Sequence, residues 1–119
     1  MYTGYFAQCK KYLANDLIPV SITRINPHWF TGYHYQVLAP SYGLLQKYKY
    51  NNLSIEEYTK EFNSYLYTLN YIKILSDLSR FGDLNKIVLC CYEKSTDFCH
   101  RHLVAKWLNN YIDIGEYHV

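Results

Sequence analysis

The segment that most constrains the fold is a short apolar run, Ile87–Tyr92, in the last third of the chain. It is rich in β-branched residues and carries no interrupting polar residue, which is typical of a strand covered on both faces of a parallel sheet. Polar residues follow, and then apolar positions spaced by three and four mark one face of an amphipathic helix: Leu103, Val104, Trp107, Leu108 and Tyr111. The pattern predicts a central strand, a tight loop and a helix, in that order.

The loop between these two elements carries residues that can start the helix. Any residue of Ser95–Asp97 could accept a hydrogen bond from a free N–H group of the first turn. Cys99–Arg101 would then form that turn, where unpaired N–H groups and the helix dipole favour an anion. At about 100° per residue, His100 lies in the middle of the apolar stripe and Arg101 at its edge. His100 is therefore expected to face the carboxyl end of the strand, where open α/β sheets usually bind ligands.

Two blocks of this region also carry a family resemblance. Cys-Tyr-Glu-Lys at 91–94 and Phe-Cys-His-Arg-His-Leu-Val-Ala-Lys-Trp-Leu at 98–108 resemble the C-terminal signature of the domain of unknown function 488 family. Further blocks similar to short members of that family, many of them bacterial or phage-encoded, are Tyr2–Phe6, Pro19–Arg24, Trp29–Gly32 and Leu38–Ser41. The resemblance covers nearly the whole chain.

The resemblance implies a compact α/β fold and a set of motif positions. Those positions are Arg24, Cys91, Glu93, Cys99, His100 and Arg101. The family has no settled activity to carry over, so a reaction has to be argued from the residues themselves.

Composition narrows the class of protein. A chain of 119 residues is large enough for one domain with a single core. A net charge of +2, with no basic run longer than Lys10–Lys11, gives nucleic-acid binding little support. No apolar run approaches the roughly 18 residues of a membrane span, and no signal peptide is recognisable, so we expect a soluble cytoplasmic protein without a membrane partner. Adjacent Cys90–Cys91 is a poor disulfide and the cysteines lack a secreted-scaffold spacing, which predicts reduced thiols.

The N-terminal third predicts two more strands. Tyr2–Phe6 reads as a first strand and Ala7–Leu13 as a short helix, both supported by the family resemblance. Leu17–Ile22 reads as a second strand that ends just before Arg24. If this strand is the parallel neighbour of Ile87–Tyr92, Arg24 and the loop after Cys91 open onto the same rim.

The middle of the chain predicts a loop and three helices. Asn26–Ser41 reads as a structured loop, a candidate lid, whose rings could wall a pocket or only pack the loop onto the domain. A helix over Ser41–Tyr50 would end at Asn51–Asn52, and the capping box Ser54–Glu57 would start another. The remaining expectations are a helical face of Ile55, Tyr58, Phe62, Tyr65, Leu66 and Leu69, then a helix over 71–80 with Ile72, Leu75 and Leu78 inward and Gly82 beyond its end. The tail after Asn110 has no readable motif.

These elements predict one α/β domain over residues 1–119, a small, mostly parallel, Rossmann-like sheet with helices on both faces. The chain has neither Gly-x-Gly-x-x-Gly after its first strand nor Gly-x4-Gly-Lys-Ser/Thr. Neither a dinucleotide fingerprint nor a Walker loop is therefore present, and no cofactor is predicted.

The first chemical hypothesis is an anion pocket made by Arg24, His100, Arg101 and the helix N-terminus, with Glu93 accepting from a ligand hydroxyl. A guanidinium fork matches phosphate oxygens bidentately, and the helix start adds backbone donors. The alternative is structural, with Glu93 and Arg101 paired to each other and His100 a satisfied boundary residue.

Cysteine chemistry is the second hypothesis. Cys99 at a helix start beside His100 has conditions that favour a thiolate, whereas the spacing from Cys91 to Arg101 is not the short loop of cysteine phosphatases. A metal site could take Cys91, Cys99 and His100, but no Cys-x-x-Cys or His-x3-His pair is present and neighbouring residues of a helix rarely meet one ion. No metal site is therefore predicted.

The favoured function is binding of a small phosphate-bearing ligand, a nucleotide or nucleotide-derived signal, at the strand–loop–helix rim. The predicted ligand-binding residues are Tyr5, Arg24, Cys91, Glu93, Lys94, Cys99, His100 and Arg101. A pure binder could sequester the signal, which would suit a small phage protein. An enzyme could hydrolyse or transfer part of it with Glu93 or His100 as general base, or with a cysteine nucleophile. A protein-interaction module using exposed tyrosines is the third class, and a homo-oligomer stays open.

Overall fold

The centre of the molecule is a sheet whose five strands, in the part of the chain that the structure describes, all pair in parallel. The structure is a computed structural model that describes residues 1–50, 53–94 and 96–119. The strands are β1 (Tyr2–Tyr5), β2 (Ile18–Ser21), β3 (Tyr33–His34), β4 (Ile87–Cys91) and β5 (Gly115–Glu116). Their order in the sheet is β3-β2-β4-β1-β5.

The strand β4 is central, as its uninterrupted apolar run predicts. All five of its residues are buried. It pairs with β2 on one side, where Ser21 lies opposite Cys90, and with β1 on the other, where Gly4 lies opposite Cys90. Because β2 and β4 are parallel neighbours, the chain segments that follow them both emerge at the carboxyl end of the sheet.

Five α-helices are present in the described residues. They are α1 (Cys9–Ala14), α2 (Tyr42–Tyr50), α3 (Ile55–Tyr67), α4 (Tyr71–Ser79) and α5 (His100–Leu108). The predicted capping box starts α3: the Glu57 N–H donates to Ser54 Oγ at 3.1 Å, and the Ser54 N–H donates to the Glu57 carboxylate at 3.3 Å. The predicted end of α2, at residues 51 and 52, lies outside the described residues.

Helices cover both faces of the sheet, which confirms the predicted α/β fold. One face packs against α1, through a small cluster that contains Phe6, Tyr12, Val88 and Cys90. Gly4 permits this close approach, because a Cβ there would lie 2.3 Å from the Tyr12 hydroxyl oxygen. The opposite face packs against the larger cluster, to which the other helices contribute Leu44, Phe62, Leu66, Leu78, Val104 and Leu108.

Two helix faces differ from their predictions. In α4 the buried residues are Ile74 and Leu78, one turn apart, and Ile72 is 63% exposed. Ile72 lies about 200° around the helix from Ile74, so both cannot face the core. In α3 the predicted inward residue Ile55 is half exposed. It is the first residue of the helix and precedes the buried positions Tyr58, Phe62 and Leu66.

The start of α5 also differs from its prediction. Its N-cap residue is Cys99, with extended backbone angles (φ −153°, ψ 145°) and no side-chain capping bond. Thr96 and Asp97 therefore do not cap the helix, and Ser95 lies outside the described residues. The helix begins later than expected because the segment 96–99 continues in non-helical conformation up to His100.

The two edge strands of the sheet are only two residues long, so neither showed a periodic pattern in the sequence. Within the predicted loop 26–41, Tyr33 pairs with Val20 and forms the edge strand β3. In the tail, Glu116 pairs with Thr3 and forms the edge strand β5. Among the described residues, none of the helices combines the length and the apolar character that crossing a bilayer requires.

Candidate functional site

A cleft opens where the connections from two neighbouring strands diverge. The chain after β2 leads to β3 at one edge of the sheet, whereas the chain after β4 leads through α5 to β5 at the other edge. Such a switch point leaves a crevice at the carboxyl ends of the strands, the usual ligand site of open α/β sheets. The cleft here has a volume of about 310 Å³. Its walls include Thr23–Ile25, Leu45, Lys49, Tyr92, Glu93 and His100.

Three of the sequence-predicted site residues line this cleft. Arg24 comes from the segment after β2, Glu93 from the segment after β4, and His100 from the first turn of α5. A hydrogen bond from the Tyr92 hydroxyl to the Ile25 carbonyl oxygen, at 2.7 Å, ties the first two segments together. The cleft is therefore built by the strand–loop–helix unit and its β2 neighbour.

Two cations at the cleft have no acidic partner among the residues that the structure describes. Arg24 is half-buried and its guanidinium carbon lies 5.9 Å from the centroid of the Tyr42 ring. Lys49, on α2, was not singled out from the sequence, because an exposed lysine near a helix end is ordinarily a solvated surface residue. Within the ranges 1–50, 53–94 and 96–119, no carboxylate oxygen lies within 4.0 Å of either side-chain cation. Both are available to an anion.

His100 forms a buried, neutral part of the wall. Its Nε2 lies 2.6 Å from the Ile22 carbonyl oxygen. Burial lowers the pKa of His100 to about 4, against the raising effect of the Ile22 hydrogen bond and with a further lowering by the Arg101 charge. Because a carbonyl oxygen can only accept, the neutral imidazole donates from Nε2 and keeps its lone pair on Nδ1. His100 therefore adds no positive charge to the cleft at neutral pH.

The Arg101 side chain does not reach the cleft, whereas the sequence predicted that its guanidinium would bind an anion there. Its side chain is fully buried. Nε and Nη2 donate to the two carboxylate oxygens of Glu116, at 3.1 and 2.9 Å, and Nη1 donates to the Glu93 carbonyl oxygen at 2.7 Å and to Cys91 Sγ at 2.9 Å. The structural alternative, an ion pair between Glu93 and Arg101, also differs from what is observed. Glu93 accepts through its backbone oxygen, and the carboxylate that pairs with Arg101 is that of Glu116.

Glu116 is the residue that sequence reasoning missed. Its carboxylate accepts from Arg101 and, at 2.7 Å, from the Thr3 hydroxyl of β1. Burial raises the pKa of Glu116, but the hydrogen bonds from Arg101 and Thr3 and the Arg101 charge outweigh it, so the net pKa is lowered. A buried arginine requires an acidic partner, yet ten acidic residues were available and the tail gave no pattern to select among them.

The cysteines also differ from the expectation of reduced thiols. Cys91 and Cys99 are joined by a disulfide, with their Cα atoms 7.4 Å apart, and both are buried. The pairing arises because the chain folds back after β4 and brings the N-cap of α5 over the end of the strand. Cys9 and Cys90 are buried free thiols, on the α1 face of the sheet.

The remaining predicted residues lie outside the cleft. Tyr5 ends β1, and its ring centroid lies 5.7 Å from the Arg101 guanidinium carbon. Its hydroxyl accepts from Gln8 Nε2 at 3.1 Å and borders a separate, smaller cleft beside the C-terminus. Lys94 is exposed and does not line the main cleft.

The aromatic loop 26–41 packs mainly onto the domain. Phe30 meets Phe6 with ring centroids 5.0 Å apart, and Tyr33 stacks on Phe81 at 4.5 Å. Tyr35 is buried, and its hydroxyl donates to the Asp77 carboxylate at 2.7 Å. None of the aromatic rings in this loop lines the main cleft, where the loop contributes Pro40, and this favours the packing interpretation over the lid.

Comparison with protein families identifies the family of this chain. A family model described as the active DUF488-N3 subclade matches residues 12–112. The matched region contains Arg24, Lys49, Glu93 and the whole 91–101 segment, whereas Glu116 lies outside it. None of the curated proteins and none of the solved structures gives a significant match.

Proposed function

The chain belongs to the DUF488 family, and we propose that it binds a small phosphate-bearing ligand of the nucleotide class in the cleft at the carboxyl ends of β2 and β4. The observation that carries this proposal is a pair of cations on the walls of that cleft, Arg24 and Lys49, neither of which pairs with a carboxylate in the described part of the chain. A guanidinium binds phosphate oxygens through two parallel hydrogen bonds, and an ammonium adds a mobile point charge.

The other walls suit the rest of a nucleotide. Tyr92 is 51% exposed at the cleft, so its ring offers a face on which a base can stack. Glu93 presents an exposed carboxylate that can accept from sugar hydroxyls. A cleft of about 310 Å³ lies at the small end of the range for ligand pockets, which fits a mononucleotide-sized part of a ligand.

In this proposal the phosphate is bound by Arg24 and Lys49, and the buried Arg101 takes no part in binding it. Arg101 is committed to Glu116, and His100 is neutral, so Arg24 and Lys49 together exceed the single negative charge of Glu93 by one. As a pure binder, the protein would sequester a nucleotide signal in the cytoplasm, where such ligands occur. That role would suit a small phage-encoded protein.

A thermal-shift panel of ATP, a cyclic dinucleotide and ADP-ribose tests the proposal. A ligand that binds only the folded state at 100 times its Kd adds roughly 2.7 kcal/mol of stability, so at least one of these compounds should raise Tm clearly. The double variant Arg24→Gln/Lys49→Gln should bind that compound at least about tenfold more weakly, because it removes both phosphate contacts.

The matched control is Lys10→Gln/Lys106→Gln, which removes the same charge from exposed positions outside the cleft. It should keep the Tm shift of the unmodified protein. Absence of a shift with every compound, or equal loss in both double variants, would reject the cleft as the binding site. Chromatography of the recovered compound separates the classes: an unchanged ligand indicates a binder, and a converted one indicates an enzyme.

A further inference from the structure

Three metal-ligating side chains converge at the inner wall of the cleft. Cys91, Cys99 and His100 each offer a donor atom, and these atoms lie within 4.8 Å of one another. All three residues are buried, and they belong to the end of β4 and the start of α5. His100 also lines the main cleft, so the cluster borders the space in which a ligand would lie.

Cys99 and His100 can face one ion although they are adjacent in the chain. Neighbouring residues within a helix point about 100° apart, which normally keeps them from one ion. Cys99 is not helical: it is the N-cap, with extended backbone angles of φ −153° and ψ 145°. Its side chain can therefore turn towards that of His100, and its Sγ lies 3.8 Å from His100 Nδ1.

The imidazole is already oriented as a ligand. Its Nε2–H donates to the Ile22 carbonyl oxygen at 2.6 Å, which leaves the Nδ1 lone pair on the side of the sulfurs. Metal-binding histidines typically hold their second ring nitrogen in such a bond to a backbone carbonyl, which fixes both tautomer and ring orientation.

The charges around the cluster favour a divalent cation. Arg101 donates to Cys91 Sγ at 2.9 Å, and its own charge is balanced by Glu116. Two thiolates would then leave two negative charges without a counterion. One divalent ion neutralises them, and the N–H···S bond from Arg101 can persist as an outer contact to the bound sulfur.

We propose that the reduced protein binds one thiophilic divalent cation, of the Zn²⁺ type, through Cys91 Sγ, Cys99 Sγ and His100 Nδ1. A thiol reductant first breaks the S–S bond, supplying two electrons and two protons; the ion then displaces the two thiol protons and forms two metal–sulfur bonds. The Cα separation of 7.4 Å allows both side chains to reach one ion. Three protein ligands leave a fourth position for water or an anion, as in open zinc sites.

Co²⁺ titration of untagged protein, reduced with a phosphine, tests this site. Cobalt reports tetrahedral thiolate coordination through a sulfur-to-metal charge-transfer band and visible ligand-field bands. We expect one Co²⁺ per chain, displaced by Zn²⁺, and a binding constant at least tenfold weaker in Cys99→Ser and in His100→Gln. Cys9→Ala, a buried thiol on the other face, should leave both the band and the affinity unchanged.

The disulfide form of the unmodified chain is a control that does not depend on any variant folding. It has no thiolates at positions 91 and 99, so Zn²⁺ should raise the Tm of the reduced protein and leave that of the oxidised protein unchanged. Equal metal binding by both forms, a missing charge-transfer band, or loss of the band in Cys9→Ala instead of Cys99→Ser would each overturn the proposal. This test uses no nucleotide, so its outcome is independent of the proposed ligand site.

Discussion

Arg24 and Arg101 lie at the same end of the sheet, and their surroundings are opposite. Arg24 follows β2, is half-buried at the cleft and meets an aromatic ring instead of a carboxylate. Arg101 begins α5, is fully buried and makes hydrogen bonds to Glu116, Cys91 and the Glu93 carbonyl. Both match family motif positions, yet only one can meet a ligand without first leaving a partner.

The difference shows that the role of a motif arginine depends on which groups it pairs with, and not on where it lies in the topology. A cationic side chain at a helix start is a good anion site only while its donors are unpaired. Arg101 donates to Cys91 of β4 and to Glu116 of β5, and Glu116 in turn accepts from Thr3 of β1, so the role of this guanidinium is structural. Arg24 lines the cleft and is half-buried.

Removing the buried arginine should have the largest effect on stability. Arg101→Met leaves the Glu116 carboxylate, whose side chain is 13% exposed, without its cation. Breaking one partner of a buried ion pair typically costs about 3–5 kcal/mol of unfolding free energy. Urea denaturation at pH 7 measures this loss.

The double variant Arg101→Met/Glu116→Leu is the matched control for that measurement. It removes both charges and should recover much of the lost stability, because a well-packed apolar pair often replaces a buried ion pair at little cost. A cost below about 1 kcal/mol for Arg101→Met alone would mean that the two arginines contribute similarly to stability and that Arg101 is not held as a buried ion pair.

The sequence predicted the parts of the fold and of the site that depend on local periodicity. The apolar run at Ile87–Tyr92, the helical spacing after it and the capping box at Ser54–Glu57 each depend on neighbours within one element. The convergence of Arg24, Glu93 and His100 on one cleft was predictable because the carboxyl ends of parallel strands lie at the same end of the sheet.

The rest of the site depends on long-range packing that no local pattern encodes. Glu116 lies on a two-residue edge strand, too short to show a period, and pairs with Arg101 only because β5 lies beside β1. The Cys91–Cys99 contact depends on where the chain folds back after β4. Spacing alone placed Arg101 at the edge of the apolar stripe and could not tell burial from exposure.

His100 lines the cleft and directly precedes the buried Arg101 in the chain. Burial lowers its folded-state pKa to about 4, from 6.5. The unfolded chain therefore takes up the proton first as the pH falls, and the neutral buried form contributes stability that is complete above pH 6.5. That contribution, on the order of 3 kcal/mol, should be lost progressively between about pH 6.5 and 4. Urea unfolding at intervals from pH 7 to 5 covers the upper part of this window.

His100→Gln is expected to flatten this pH dependence while lowering stability at pH 7. Burial and the Arg101 charge also lower the pKa of His102, so its titration acts with the same sign, and His102→Gln serves as the paired control. The half-buried His102 should contribute the smaller part of the slope. A slope unchanged by His100→Gln would show that this imidazole is not held neutral.

The smallest expected effect on stability is that of Arg24→Gln. The guanidinium carbon of Arg24 lies 5.9 Å from the centroid of the Tyr42 ring, and an exposed cation–π contact contributes about 0.5–1 kcal/mol. Urea denaturation should therefore show a loss below about 1 kcal/mol, with Tyr42→Leu costing a similar amount. A loss above about 2 kcal/mol would mean that Arg24, like Arg101, is held by the fold. A small loss combined with weakened ATP, cyclic dinucleotide or ADP-ribose binding would separate the two arginines as a ligand contact and a structural one.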